Sequence, residues 1–327
     1  MYLFALPSQP QRQDTPFFEK IKKLDWLGML LFAAMYACFV LAFTFGGPIW
    51  PWNDGRFIAC VVLSVAFLIA FAITQRYAVL TTVADRLFPC DFLGHFQLLL
   101  LWLIMACCGI ALFVSIYYIP LYFLFVHGDT GTGAAVRLLP FICFCISSML
   151  VAGYAMPRTG YHMVWYLVSA IFLTAGAAGM HIIQRDSPTS YTYGFSVLLG
   201  LGMTVNVAAY TIAGKYCQPE RITEAIQFMN ISQGQSQMLG LCIASSIFQS
   251  KSFEGMKSVL DGQGFTTGEI RAAIAGSQSK VLESISPQLK ARCIDVLVNT
   301  ISDIWIMVIA AGALMAVCSA FLSKKRF

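Results

Sequence analysis

Asn230, Gln233 and Gln237 fall at i, i+3 and i+7, a spacing that sets three amides on one helical face. Amides donate and accept hydrogen bonds without titrating, and polar groups inside an apolar helix are costly and often functional. Two readings follow. The stripe is the wall of a path for an apolar cargo with polar decoration, or it is hydrogen-bond glue between helices, with Gly234 and Gly240 allowing close approach. Asn206 stands alone in the preceding apolar segment, near Thr204 and Tyr210, where Gly200 and Gly202 point to tight packing. Tyr117 and Tyr118 lie deep enough for one of them to face a cavity, whereas Tyr122 suits an interfacial aromatic belt. Arg137 is the charge that enters an apolar segment; it either snorkels to the interface or acts as a gate or partner to a carboxylate elsewhere.

The elements that must carry these residues are written in the charge pattern. Of 327 residues, 58% are hydrophobic and 11% charged, with a mean hydropathy of +0.72. Soluble domains run at about 45–50% apolar and about 25% charged. Eight windows hold no Asp, Glu, Lys or Arg: 26–53, 57–75, 92–128, 138–157, 159–184, 187–214, 225–250 and 304–323. A membrane-crossing helix needs about 20 predominantly apolar residues. The fold class is therefore an all-α multi-pass membrane protein with eight spans, near 26–47, 57–75, 97–120, 133–155, 163–183, 193–214, 226–248 and 303–322. One connection is long, 251–302; there Ile270, Ala273 and Ile274, then Val281 and Ile285, suggest short amphipathic helices on a membrane surface.

Several function classes drop out. The net charge of +5 is scattered over loops, with runs only at Lys22-Lys23 and Lys324-Lys325-Arg326, which suits a membrane surface and not a nucleic acid. Eleven cysteines form no CxxC pair, and the four histidines lie in different segments, so neither a zinc site nor a disulfide scaffold is expected. No GxxxxGK[ST] and no GxSxG occurs. No carboxylate pair or Ser-His-Asp set suggests an enzyme, and no cofactor or metal is expected.

Orientation follows from Lys and Arg. The side holding 1–25, 76–92, 156–162, 215–225 and the carboxyl terminus carries twelve basic residues, against Arg56 and Arg185 in the opposite short loops. Both termini are thus expected in the cytoplasm and 251–302 outside, long segments obeying the rule weakly.

The segment Tyr117-Tyr118-Ile119-Pro120-Leu121-Tyr122-Phe123, followed by Val126-x-Gly128-x-Thr130 and Val136-Arg137-Leu138-Leu139-Pro140, resembles the ninth-to-tenth-helix stretch of fungal fourteen-span drug:proton antiporters of the major facilitator superfamily. Further likenesses run in order through the chain. Leu24-Asp25-Trp26-Leu27-Gly28 is similar to the start of that family's seventh helix and Pro51–Arg56 to its outer loop. Arg158-Thr159-Gly160-Tyr161 is similar to the cytoplasmic turn before helix eleven, a loop motif in which Arg158 is a candidate. Pro219-Glu220, Gln233 and Ile247-Phe248-Gln249 are similar to the helix twelve-to-thirteen region. Departures stand at Ala134-Ala135, Val164, Thr204 and Ser236-Gln237-Met238.

The resemblance implies an organisation. Residues 1–25 would be the tail of a sixth helix and a cytoplasmic linker, 26–76 two linker spans, and 93–327 one six-helix facilitator half, with the amino-terminal half absent. It implies export of small amphipathic toxins, drugs or secondary metabolites, by proton antiport once the other half is supplied. The plasma membrane is the expected site, with the vacuolar membrane as the other option. The alternatives are a half-protein that does not transport or serves as an assembly partner, and a siderophore-type iron chelate carrier.

Overall fold

In the computed structural model the described residues are 21, 24–47, 49–83, 85–275 and 285–323. Nearly all of segment 1–25, Val281 and the Lys22-Lys23 and Lys324-Lys325-Arg326 runs lie outside them. Among the described residues the chain is helical, with no strand beyond an isolated bridge between Gly46 and Trp50. The helices are α1 (Trp26–Phe45), α2 (Gly55–Tyr77), α3 (Phe96–Val126), α4 (Gly131–Val136), α5 (Leu139–Thr159), α6 (His162–His181), α7 (Thr189–Leu201), α8 (Ala208–Lys215), α9 (Ile222–Val259), α10 (Thr267–Ala275) and α11 (Pro287–Ala320).

Their ends obey capping chemistry. Asp25 caps α1 by accepting from Gly28 N at 2.8 Å, and Asp54 caps α2 by accepting from Arg56 N at 2.8 Å. At the start of α10, Thr266 and Glu269 form a reciprocal capping box. Gly160 closes α5 with φ +71°, a conformation that costs a glycine nothing.

Six helices among the described residues are long and apolar enough to cross a membrane: α1, α2, α3, the α4–α5 stretch, α6 and α11. The two remaining expected spans take other forms. The 193–214 window is not one helix, because between Leu201 and Ala208 the regular α-helical ladder gives way to turns bonded from residue i to i−3. The 226–248 window is one helix of 38 residues, about 57 Å at 1.5 Å per residue, longer than a hydrocarbon core and polar at both ends. Helix α3 also runs past its expected end, carrying Pro120 inside it. The long connection is mostly helix: α9 reaches Val259, α11 starts at Pro287, and Ile270, Ala273 and Ile274 bury one face of α10.

Helix α3 lies at the centre, packed against α9 and α11; α6 packs on α11 and α7, and α5 on α7. The core is a continuous apolar cluster that includes Leu101, Ile104, Tyr118, Phe123, Leu173 and Trp305. Helices α3 and α9 meet at Gly109, where a Cβ would collide with Ser236 Oγ and come within 2.9 Å of the Gln233 carbonyl.

The α1–α2 hairpin is fastened at one end. The buried Asp25 carboxylate accepts from Gln75 Nε2 at 2.6 Å and from Leu87 N at 3.1 Å, and Gln75 Oε1 accepts from Phe88 N at 2.7 Å. The 82–95 connection then reaches the bundle. Asp91 takes Arg86 at 2.5 Å and Arg221 at 3.2 Å, Arg221 also pairs with Glu224, and Gln227 Nε2 donates to the Leu87 carbonyl.

Candidate functional site

The break between α7 and α8 builds the site. A buried interruption of a helix leaves backbone groups that need partners from the surrounding protein. Here two neighbouring helices supply them. Ser169 Oγ of α6 donates to the Gly202 carbonyl, and Ser148 Oγ of α5 shares its proton between the Cys145 carbonyl of its own helix at 2.9 Å and the Gly200 carbonyl at 3.1 Å, which also accepts from Met203 N. Gly202 is pressed against α6, where a Cβ would come within 2.7 Å of Leu173 Cα.

The break brings Asn206, 5% exposed, towards α9. Gln233 Nε2 donates to Asn206 Oδ1 at 3.0 Å, and the Tyr210 hydroxyl donates to Gln233 Oε1 at 2.5 Å. One amide thereby ties α9 to the interruption itself, through Asn206, and to α8 beyond it, through Tyr210. Gln233 and Tyr210 are half-buried, so the cluster is neither sealed in the core nor open to solvent. Unlike a carboxylate it keeps its hydrogen-bonding character at any ordinary pH.

The other sequence candidates are dispersed. Asn230 is exposed and faces a groove of about 540 Å³ shared with Phe32 and Tyr36 of α1, on which Gly234 and Met238 also open. Gln237 is half-buried beside Gly109 of α3. The structure thus joins Gln233 to Asn206 and Tyr210 and does not join it to Asn230. Of the two glycines, Gly240 lies where a Cβ would come within 3.0 Å of Ile110 of α3, while Gly234 has open space where a Cβ would be. Tyr117 is half exposed and lines a cavity; Tyr118 is fully buried, its ring 5.9 Å from that of Phe248.

Arg137, at the end of α4, pairs with Asp129 just before that helix starts, hydrogen-bonds the Tyr193 hydroxyl at 3.2 Å, and lies over the Phe123 ring at 4.9 Å. Its carboxylate partner is eight residues back, at the end of the bundle. Arg158 is exposed and stacked on Tyr154 of its own helix. Ser148, Ser169 and Asp129 were not singled out by sequence, and no spacing marks them, since each acts on a group from another element or from the far end of a short helix.

Comparison with known proteins places this arrangement. A family model described as the fungal trichothecene efflux pump (TRI12) matches residues 8–218. The chain is 48% identical over 329 residues to the efflux pump patC of Aspergillus clavatus, and equally to the MFS-type transporter patC of Penicillium expansum. Both alignments cover all of this chain and 60% of the relative. The MFS-type transporter pgmG of Aspergillus terreus is 32% identical over 327 residues, and 58% of it is covered. The chain thus spans less than two thirds of the length of these curated relatives. In fold it is similar to a bacterial homologue of the human lysosomal transporter Spinster, crystallised inward-facing and unoccupied. The TM-score is 0.50 at 14% identity, over 92% of this chain and 65% of that one. A helical bundle with a broken helix, matched over most of its length by one family model, belongs to the fungal trichothecene efflux pump (TRI12) family of facilitator-type transporters.

Proposed function

We propose that this chain provides the cargo-contacting carboxyl-terminal half of a facilitator-type efflux pump for small amphipathic molecules, coupled to proton entry. In this reading α1 and α2 are linker spans, α3 to α11 form one six-helix half, and α9 and the α7–α8 pair are its two further spans, eight in all. Transporters of this kind place cargo near the midplane, at interrupted helices. The observation that carries the proposal is the Asn206–Gln233–Tyr210 cluster at such an interruption. Its half-buried amide and phenol suit the carbonyls and hydroxyls of an otherwise apolar metabolite. The efflux pumps among the relatives support the direction of transport, and the plasma membrane is the site where export would serve the cell.

Gln233→Ala tests the reading against simple helix glue. Interhelical hydrogen bonds in membranes are worth about 0.6 kcal/mol each, so losing two leaves the fold standing. Transport is measured in a pump-deficient yeast host, with the part of the A. clavatus relative that lies outside the match co-expressed. The expected result is a change in export that differs between compounds at unchanged protein abundance. A uniform fall that tracks abundance would reject the cargo role.

A further inference from the structure

A second cavity, of about 370 Å³, lies at the end of the bundle that carries α10, between the outer turns of α3 and α9 and the α1–α2 turn. That volume falls within the range of about 300–1,000 Å³ typical of small-molecule sites. Its wall is divided by chemistry. Ile49, Leu121, Phe248 and Ile274 supply an apolar side, and Arg271 of α10 supplies the one charge among the described lining residues, none of which is a carboxylate.

Arg271 is held ready and left incomplete. Its guanidinium lies over the Phe253 ring, 5.1 Å from the centroid, a cation–π contact that uses none of its N–H donors, whose planar fork matches a carboxylate or phosphate. Nε is buried and has no hydrogen-bond partner among the described residues. A buried donor without an acceptor is unfavourable until something supplies one. The nearby Lys251 is already engaged, donating to Asp303 at 2.7 Å. Polar neighbours complete the ring: Gln249, whose Nε2 donates to Ser245 Oγ at 3.2 Å, and the half-exposed Tyr117.

We propose that this cavity binds an amphipathic anion, with its carboxylate or phosphate forked on Arg271 and its apolar body against Leu121, Phe248 and Ile274. The site takes its charge from α10 and does not depend on whether the Gln233 cluster contacts cargo. A free amphipathic acid and an anionic lipid share this chemistry.

The test is isothermal titration of the purified full chain with decanoate and with decanol, its neutral counterpart of equal length. Decanoate is expected to bind saturably and about tenfold more tightly than decanol, a difference of about 1.4 kcal/mol. Arg271→Met should bring decanoate down to the decanol value at an unchanged melting temperature, and Arg271→Lys should restore part of the difference. Equal affinities for the two probes, or decanoate binding unaltered in Arg271→Met, would overturn the site. Repeating the titration in phosphatidylcholine nanodiscs with and without phosphatidylglycerol identifies the source. Competition by phosphatidylglycerol that disappears in Arg271→Met supports a lipid occupant, and decanoate binding indifferent to phosphatidylglycerol supports a free acid.

Discussion

At the residue scale, two glycines of one packed region respond in opposite ways to the same change. Gly109 lies where α3 touches the Ser236 and Gln233 backbone of α9, and a methyl group there has no room. Gly234 lies mid-helix in α9 with nothing near its missing Cβ. Gly109→Ala is expected to lower the melting temperature of the detergent-purified protein, with overpacking costing about 1–3 kcal/mol. Gly234→Ala should hold or raise it, since alanine is better than glycine in a helix by up to about 1 kcal/mol. A matched pair of thermal unfolding curves decides. Destabilisation by both, or by neither, would contradict the packing described. Sequence foresaw small residues in this helix but not which of them meets a neighbour, because that depends on the opposing backbone.

At the element scale, the α1–α2 hairpin is joined to the bundle through Asp91. The Arg86 hydrogen bond, helped by that guanidinium's charge and by Arg221, holds the Asp91 carboxyl below the usual carboxylate range. A depressed folded value means that the group stabilises the folded state fully above its unfolded pKa of about 4. That contribution is lost as the pH falls through the folded value. Melting temperatures between pH 6 and pH 3 should therefore decline towards the acid end. Asp91→Asn should melt lower at pH 6 and show a shallower decline. An unchanged slope would show that the ion cluster does not fasten the hairpin. Asp91 is half exposed, so the effect is screened and should shrink in high salt.

The same scale shows what hydropathy can and cannot reveal. The charge-free windows located α1, α2, α3, α5, α6 and α11, because lipid imposes length and apolarity directly on the chain. The interruption at Gly202–Val207 escaped, since the hydroxyls that tolerate it come from Ser148 and Ser169 on other helices. Periodicity set Asn230, Gln233 and Gln237 on one helix, α9, yet only Gln233 of the three meets Asn206 and Tyr210 at the α7–α8 interruption. The span of 27 positions between Asn206 and Gln233 carries no period that could announce the pair.

At the scale of the whole molecule, the bias of basic residues predicts a topology. Twelve Lys and Arg flank one set of ends and two flank the other short loops. Reporters fused after Phe327 and inserted after Gly262, in the turn between α9 and α10, should label opposite sides of the membrane. Labelling on one side would remove the even number of spans on which the proposed architecture rests.

Helix α9 has a mechanical consequence. It is unbroken from Ile222 to Val259, and along it stand Gln227 at the hairpin fastening, Gln233 at the amide cluster and Gln249 at the Arg271 cavity. Gln227 and Gln249 are separated by about 33 Å of rigid rod. Tilting that rod by about 5° about one end swings the other through about 3 Å, the length of a hydrogen bond. The three sites ride on one rod, so a tilt of α9 would move all three together, each in proportion to its distance from the pivot.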